Sequence, residues 1–286
     1  MLRILGLSLL CLLLPAPAMA AEVRYGADLH EADWRLQASD LACTLSQRIP
    51  RYGVARFSRR AGGPLTFRLE VLRPPTRGGR ARLTAAPPDW YHQAAMRDLG
   101  QVTVRQGSPA VVFERALSRR LLTELERGFF PTFTYRDWSD GRDQVRVRVS
   151  AVNLNSKLQG FLDCLDAMLP YGFDQVGEVR IPFGVDSTRL GDRDTARLDK
   201  LVEYVKADAD VEKVKVDAYT DASGYLRHNR ELAQKRAAAV KQYLLEKGLS
   251  ESMLEVNAHG EKDPIASNAS AQGRAQNRRV VVALVK

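Results

Sequence analysis

The sequence predicts two domains behind a cleavable leader, the first mainly β with a few helices and the second an α/β sandwich of order βαβαββ. Three observations carry this. A chain of 286 residues is longer than one small core usually organises. Up to about residue 170 apolar residues recur mostly with period two. Beyond it, strand-like and helix-like stretches alternate.

Residues 1–20, MLRILGLSLLCLLLPAPAMA, set Arg3 ahead of an apolar run from Ile4 to Leu14 and close on Ala18-Met19-Ala20, the pattern of a secretory signal peptide. The run is well short of the roughly twenty residues that a spanning helix needs. Cys11 lies inside it behind Leu10, not at its end behind Gly or Ala, which argues against an acylated cysteine. The longest apolar run further on is VVVALV, 280–285, so no transmembrane anchor is expected. A mature chain starting near Ala21, soluble and exported, follows.

Export excludes nucleic acid as a partner. The formal charge of +9 loses Arg3 with the leader. The basic balance fits either anionic wall or outer-membrane material or a surface that is basic only for solubility. After cleavage Cys43 and Cys164 remain, and an even pair in an oxidising compartment reads as a disulfide, with two separate buried thiols as the alternative.

The first domain is assigned to residues 21–170. LTFRLEV (65–71), QVTV (101–104) and QVRVRVSAV (144–152) alternate as half-buried strands, separated by the turn-rich RPPTRGGR and AAPPDW. Helices are expected over 116–125 and over 157–168, where Leu158, Phe161, Leu162 and Leu165 follow helical spacing. Arg146 and Arg148 form a basic stripe on the outer face of their strand.

The second domain is assigned to residues 171–286. Its expected order is strand 179–183, helix 194–205, strand 214–219, helix 226–247, strand 254–258 and strand 279–285. Leu198, Leu201, Val202 and Val205 share one helix face, and Gly248 stops the longer helix. Thr220 and Asp221 end a strand, Gly224 turns the chain, and Asn229, Ala233 and Arg236 then lie on one face of the following helix. Arg236 sits about 10 Å beyond Asn229 along the axis, and its side chain leans back toward Asp221. An acid and a guanidinium facing one pocket suit a zwitterion such as a free amino-acid end. The alternative is an ordinary turn aspartate, with Arg236 in an ion pair with Glu231 or Glu261.

The stretches IPFGVDSTRL, AYTDASG, NRELAQKRA, HGEKDPIASN and GRAQNRRV stand in the order of the OmpA-like peptidoglycan-binding domain, which the chain resembles over 176–286. That resemblance implies that Asp221 and Arg236 grip the diaminopimelate of the wall peptide. It also implies pocket roles for Phe183, Asp186, Thr220, Asn229, Leu232 and Arg279. Ala218, Ala233 and Ala258 depart from the pattern without removing a charge.

Further toward the N-terminus, WRLQASDLACTLSQRIPRYGVARFSRRAGGPLTFRLEV is similar to the N-terminal domain of the MotY family of flagellar T-ring proteins. The likeness lies in Cys43, Gln47, Ile49, Pro50, Tyr52, Gly53, Ala55, Phe57 and Ala61-Gly62, with PPDW (87–90) and Cys164 in agreement. It implies a periplasmic ring component at the flagellar basal body that associates with stator proteins and ring components and ties them to peptidoglycan. The other reading is a general envelope protein that links to the wall without a motor role.

Catalysis is not expected. His30, His92, His228 and His259 show no metal-ligand spacing, and the cysteines are accounted for as a bridge. His259 beside Glu261 is the nearest approach to an acid-base pair. No metal and no cofactor is expected.

Overall fold

The computed structural model describes residues 22–88, 91, 94–136 and 143–286. The leader with Cys11, the start at Ala21, Asp89 and Trp90 of the PPDW motif, and His92 lie outside the described residues.

The chain begins with β1 (Glu22–Tyr25), β2 (Trp34–Ala38), β3 (Ala42–Ile49), β4 (Gly53–Arg60), β5 (Thr66–Val71), β6 (Gly79–Ala86), β7 (Arg97–Val104) and β8 (Val111–Glu114). Helix α1 (Ala116–Glu126), β9 (Phe130–Arg136), β10 (Gln144–Arg148) and α2 (Asn155–Ala167) follow. The ten strands make one sheet in the order β1-β10-β9-β6-β7-β8-β5-β4-β3-β2. Period-two burial dictates its two faces: on β3, Cys43, Leu45, Gln47 and Ile49 point inward, while Thr44, Ser46 and Arg48 point out. The inner face closes on an aromatic core in which Phe67 meets Phe57 at 4.9 Å and Phe133 at 5.7 Å between ring centroids. Leu121 and Leu125 of α1 and Leu158 and Phe161 of α2 fill the rest.

The strand expected over 144–152 ends at Arg148. Ser150 explains the stop: its N–H donates to Oε1 of the fully buried Gln47 at 2.8 Å, and its carbonyl accepts from Gln47 Nε2 at 2.8 Å and from Trp34 Nε1 at 3.1 Å. Side chains of β2 and β3 thus take over the backbone groups a ladder would have used. Cys43 and Cys164 form a disulfide between β3 and α2, with the Cα atoms 6.0 Å apart.

The second part holds α3 (Phe173–Val176), β11 (Glu178–Pro182), α4 (Asp192–Ala207), β12 (Lys213–Tyr219), α5 (Leu226–Glu246), β13 (Leu254–Gly260), α6 (Ala271–Asn277) and β14 (Arg279–Val285). Its four strands run in the order β11-β14-β12-β13, with β12 and β13 parallel. Leu198, Leu201, Val202 and Val205 of α4 and Ala237, Val240 and Leu244 of α5 form a core with Val214, Val216, Val280 and Val282 of the sheet. The expected order holds, with α3 and α6 added. The parts meet beside β3 and β4: Leu41 packs against the second core, and the Ala61-Gly62 turn lies against Gly172 and Gln175. Among the described residues no helix is long and apolar enough to cross a membrane.

Candidate functional site

Thr220 and Asp221 leave the end of β12, and the chain must reverse at once to enter α5. Gly224, with φ of +94°, makes that reversal in the left-handed region that other residues avoid. The turn, the first three turns of α5 and the loop after β11 line a cavity of about 240 Å³. Asp186, Thr220, Asp221, Asn229, Leu232 and Arg236 all line it, so six of the eight residues expected to form a pocket are brought together. Phe183 lies beneath them, its ring 5.1 Å from the Arg236 guanidinium.

Arg279 does not join them. It is buried with its guanidinium 3.9 Å over the Tyr219 ring, and it donates to Asn277 O and Asp263 O. The arginine that enters the cavity is its neighbour Arg278, whose Nη1 meets Asp221 Oδ2 at 2.8 Å and whose Nε donates to Phe183 O. Arg278 precedes β14 at the end of α6, where strand alternation does not apply. The pattern NRRV alone does not say which arginine turns inward.

Local chemistry places Arg278. Ser270 caps α6 by accepting from Gly273 N–H at 3.0 Å. A Cβ at Gly273 would lie 2.0 Å from Ser267 O, so only glycine lets the helix close on its own loop. Fully buried Asn277 then accepts from Ile265 and Ala266 N–H and donates to Ala266 O and Asn268 Oδ1. Asn268 Oδ1 in turn accepts from Ala222 N–H at 3.2 Å, which ties the α6 loop to the Asp221 turn.

Arg236 is 0% exposed. Its Nε donates to Ser187 O at 2.9 Å, Nη1 to Tyr219 O at 3.2 Å and Nη2 to Gly184 O at 2.8 Å. Three of its five N–H donors therefore hold backbone, and two remain. The alternative ion pairs are not formed: Glu231 takes Arg227 at 3.0 Å, and Glu261 accepts from Asn229 at 2.7 Å. Burial pushes the Arg236 pKa down to about 10 and the neighbouring Arg278 charge adds to this, against the pull of Asp221 and Asp186. The guanidinium stays charged at neutral pH.

At Asp221, burial works to raise the carboxyl, but hydrogen bonds from Ser223 and Arg278 outweigh it and hold the pKa below its usual value. His228 Nε2 meets Asp186 Oδ1 at 2.8 Å beside the cavity. The Thr220 hydroxyl oxygen is buried on the wall without a hydrogen-bond partner among the described residues. The site therefore sets two guanidiniums against two carboxylates, with two Arg236 N–H donors and the Thr220 hydroxyl unspent. His259 does not pair with Glu261: it meets Asp217 at 2.8 Å and stacks on Tyr219. Among the described residues no group of three His, Cys, Asp or Glu is placed to hold a metal.

Two family models match the chain: the MotY N-terminal domain over residues 25–170 and the OmpA family over residues 182–278. The sodium-type flagellar protein MotY of Vibrio parahaemolyticus is 31% identical over 265 residues, covering 91% of this chain and 90% of that one. The peptidoglycan-binding protein ArfA of Mycobacterium tuberculosis is 36% identical over 102 residues, 36% of this chain and 31% of that protein. The solved structure of the peptidoglycan-associated lipoprotein from Burkholderia pseudomallei aligns with 28% identity and a TM-score of 0.36, covering 37% of this chain and 89% of that one. With a flagellar relative matched along nearly its whole length and both family models in sequence order, the chain belongs to the MotY family and carries an OmpA-family domain behind its MotY N-terminal domain.

Proposed function

We propose that the protein is a non-enzymatic periplasmic component of the flagellar motor, placed at the basal body, which grips peptidoglycan through diaminopimelate and helps hold stator units to the wall. In this reading residues 1–20 are removed, 21–170 meet the motor and 171–286 meet the wall. The observation that carries the wall contact is the cavity beside Asp221: two unspent N–H donors of Arg236 and the unpaired Thr220 hydroxyl share it with a carboxylate. A diaminopimelate end offers one carboxylate and one ammonium. The carboxylate suits Arg236, with Arg278 adding positive potential, and the ammonium suits Asp221. Phe183 supports the guanidinium from below, and Asn229, Leu232 and Asp186 shape the wall. The likeness to ArfA, a peptidoglycan-binding protein, and to the flagellar protein of Vibrio agrees with this reading.

The test is co-sedimentation of the mature chain with diaminopimelate-type sacculi. Wild type is expected to pellet and to be released by free meso-diaminopimelate. Thr220→Val, which keeps the shape and removes the hydroxyl, is expected to bind up to about tenfold more weakly with an unchanged thermal midpoint. Equal pelleting of both proteins with no release by the competitor would show that net charge alone drives binding. The motor role is tested by deletion: loss of swimming with flagella still assembled supports it, and envelope damage with normal swimming favours the general wall linker.

A further inference from the structure

The positive charge of the chain is unevenly placed. Residues 21–170 hold 23 Lys and Arg against 16 Asp and Glu, whereas residues 171–286 hold 19 against 18. The type of base differs as well: the first stretch has 22 Arg and 1 Lys, the second 10 Arg and 9 Lys. One chain supplies its own control here, because a genome-wide taste for arginine would act on both halves.

Five of the 22 arginines stand on the outer face of β2 to β5. The pairing register places Arg35 opposite Ser46, Ser46 opposite Arg56 and Arg56 opposite Arg68, giving a row across four strands at about 4.8 Å per strand. Arg48 and Arg60 flank the row on the same face, and Thr44, Ser58 and Thr66 run beside it. Two arginines of the row already have acids: Arg56 takes Glu70 of β5 in a two-pronged pair of 2.9 and 3.1 Å, and Arg35 takes Asp33, just ahead of β2, at 3.3 Å. Arg48, Arg60 and Arg68 are exposed and have no partner among the described residues.

We propose that this arginine face is a docking surface for an acidic protein face of the flagellar basal body; the choice of partner rests on the motor reading above. The preference for arginine over lysine favours a protein over a diffuse anionic polymer. Arginine is enriched and lysine depleted at protein interfaces, because the planar guanidinium sheds water readily and binds carboxylates through its fork. The half-buried Thr44 and Ser58 add short hydroxyls to a flat surface, and the charges of Arg48, Arg60 and Arg68 are left for the partner.

The test uses the full mature chain and basal bodies purified from cells lacking it, with sacculi and lipopolysaccharide vesicles as parallel baits. R48E/R68E is expected to lose about tenfold or more in basal-body binding near 150 mM salt, to keep its thermal midpoint and to keep sacculus binding. R48K/R68K, which retains charge and loses the fork, is expected to fall between. Basal-body binding by R48E/R68E equal to wild type would overturn the proposal. A loss confined to lipopolysaccharide vesicles or sacculi would overturn it too, assigning the face to an anionic polymer. Failure of wild type to bind basal bodies at all would bring down the motor reading, and with it this choice of partner.

Discussion

Gln47 in the first domain and Arg236 in the second are both fully buried polar side chains that hold backbone across the fold. Gln47 closes its account without a charge: both polar atoms of its neutral amide are engaged by Ser150. Arg236 does not. It holds Gly184, Ser187 and Tyr219, yet keeps its charge and two donors beside a cavity. A buried polar group that is satisfied points to architecture, and one that is overqualified for its structural duty points to a ligand.

That contrast can be broken at several points. The largest effect is expected from Cys43→Ser, which removes the bridge under the first sheet and should cost about 2 to 5 kcal/mol, measured by urea unfolding under oxidising conditions. An unaltered midpoint would mean the bridge adds nothing. Arg236→Met is expected next, at about 3 kcal/mol, because three loop carbonyls lose charged donors; a loss of wall binding in this variant must therefore be read beside its unfolding curve. Gln47→Leu should cost about 1 to 3 kcal/mol, since it strands the Ser150 N–H while Trp34 still serves the carbonyl. If Gln47→Leu proves as costly as Arg236→Met, charge is not what separates the two sites.

The smallest effect is on pH. The Asp221 pKa is lowered by folding, so the stability it contributes is present above the unfolded value near 3.9 and is lost as pH falls through the lower folded value. Thermal midpoints from pH 7 down to about pH 3 should drop less steeply in Asp221→Asn than in wild type. Parallel curves would show that Asp221 carries no linkage.

Pattern made the second domain legible because α4 and α5 are long and apolar on one face, β12 alternates, and β14 is a short continuous apolar run. It failed at α6, whose seven residues, AQGRAQN, present no apolar face and are set by Ser270, Gly273 and Asn277. Arg278 was hidden for the same reason. In the first domain, β3 carries Gln47 at a core position and β6 faces inward with Ala81 and Ala85, so their alternation is muted. Asp221, Arg236 and the cysteine pair were readable because each is a distinctive residue in a distinctive place. The buried bonds that turn Arg236 into a structural element depend on two loops that no local pattern links.

The disulfide has a mechanical consequence. Cys164 lies near the end of α2, and beyond it the chain passes Leu169, bonded to Asp40 O, into the second domain. Cys43 is the second residue of β3, and Asp40 lies just ahead of that strand. A pull on the second domain therefore enters the ten-stranded sheet at that strand end through a covalent cross-link and an adjacent hydrogen bond. The helix α2 ahead of the bridge is spared the load, so tension between a wall and a ring would reach the sheet without first unwinding it.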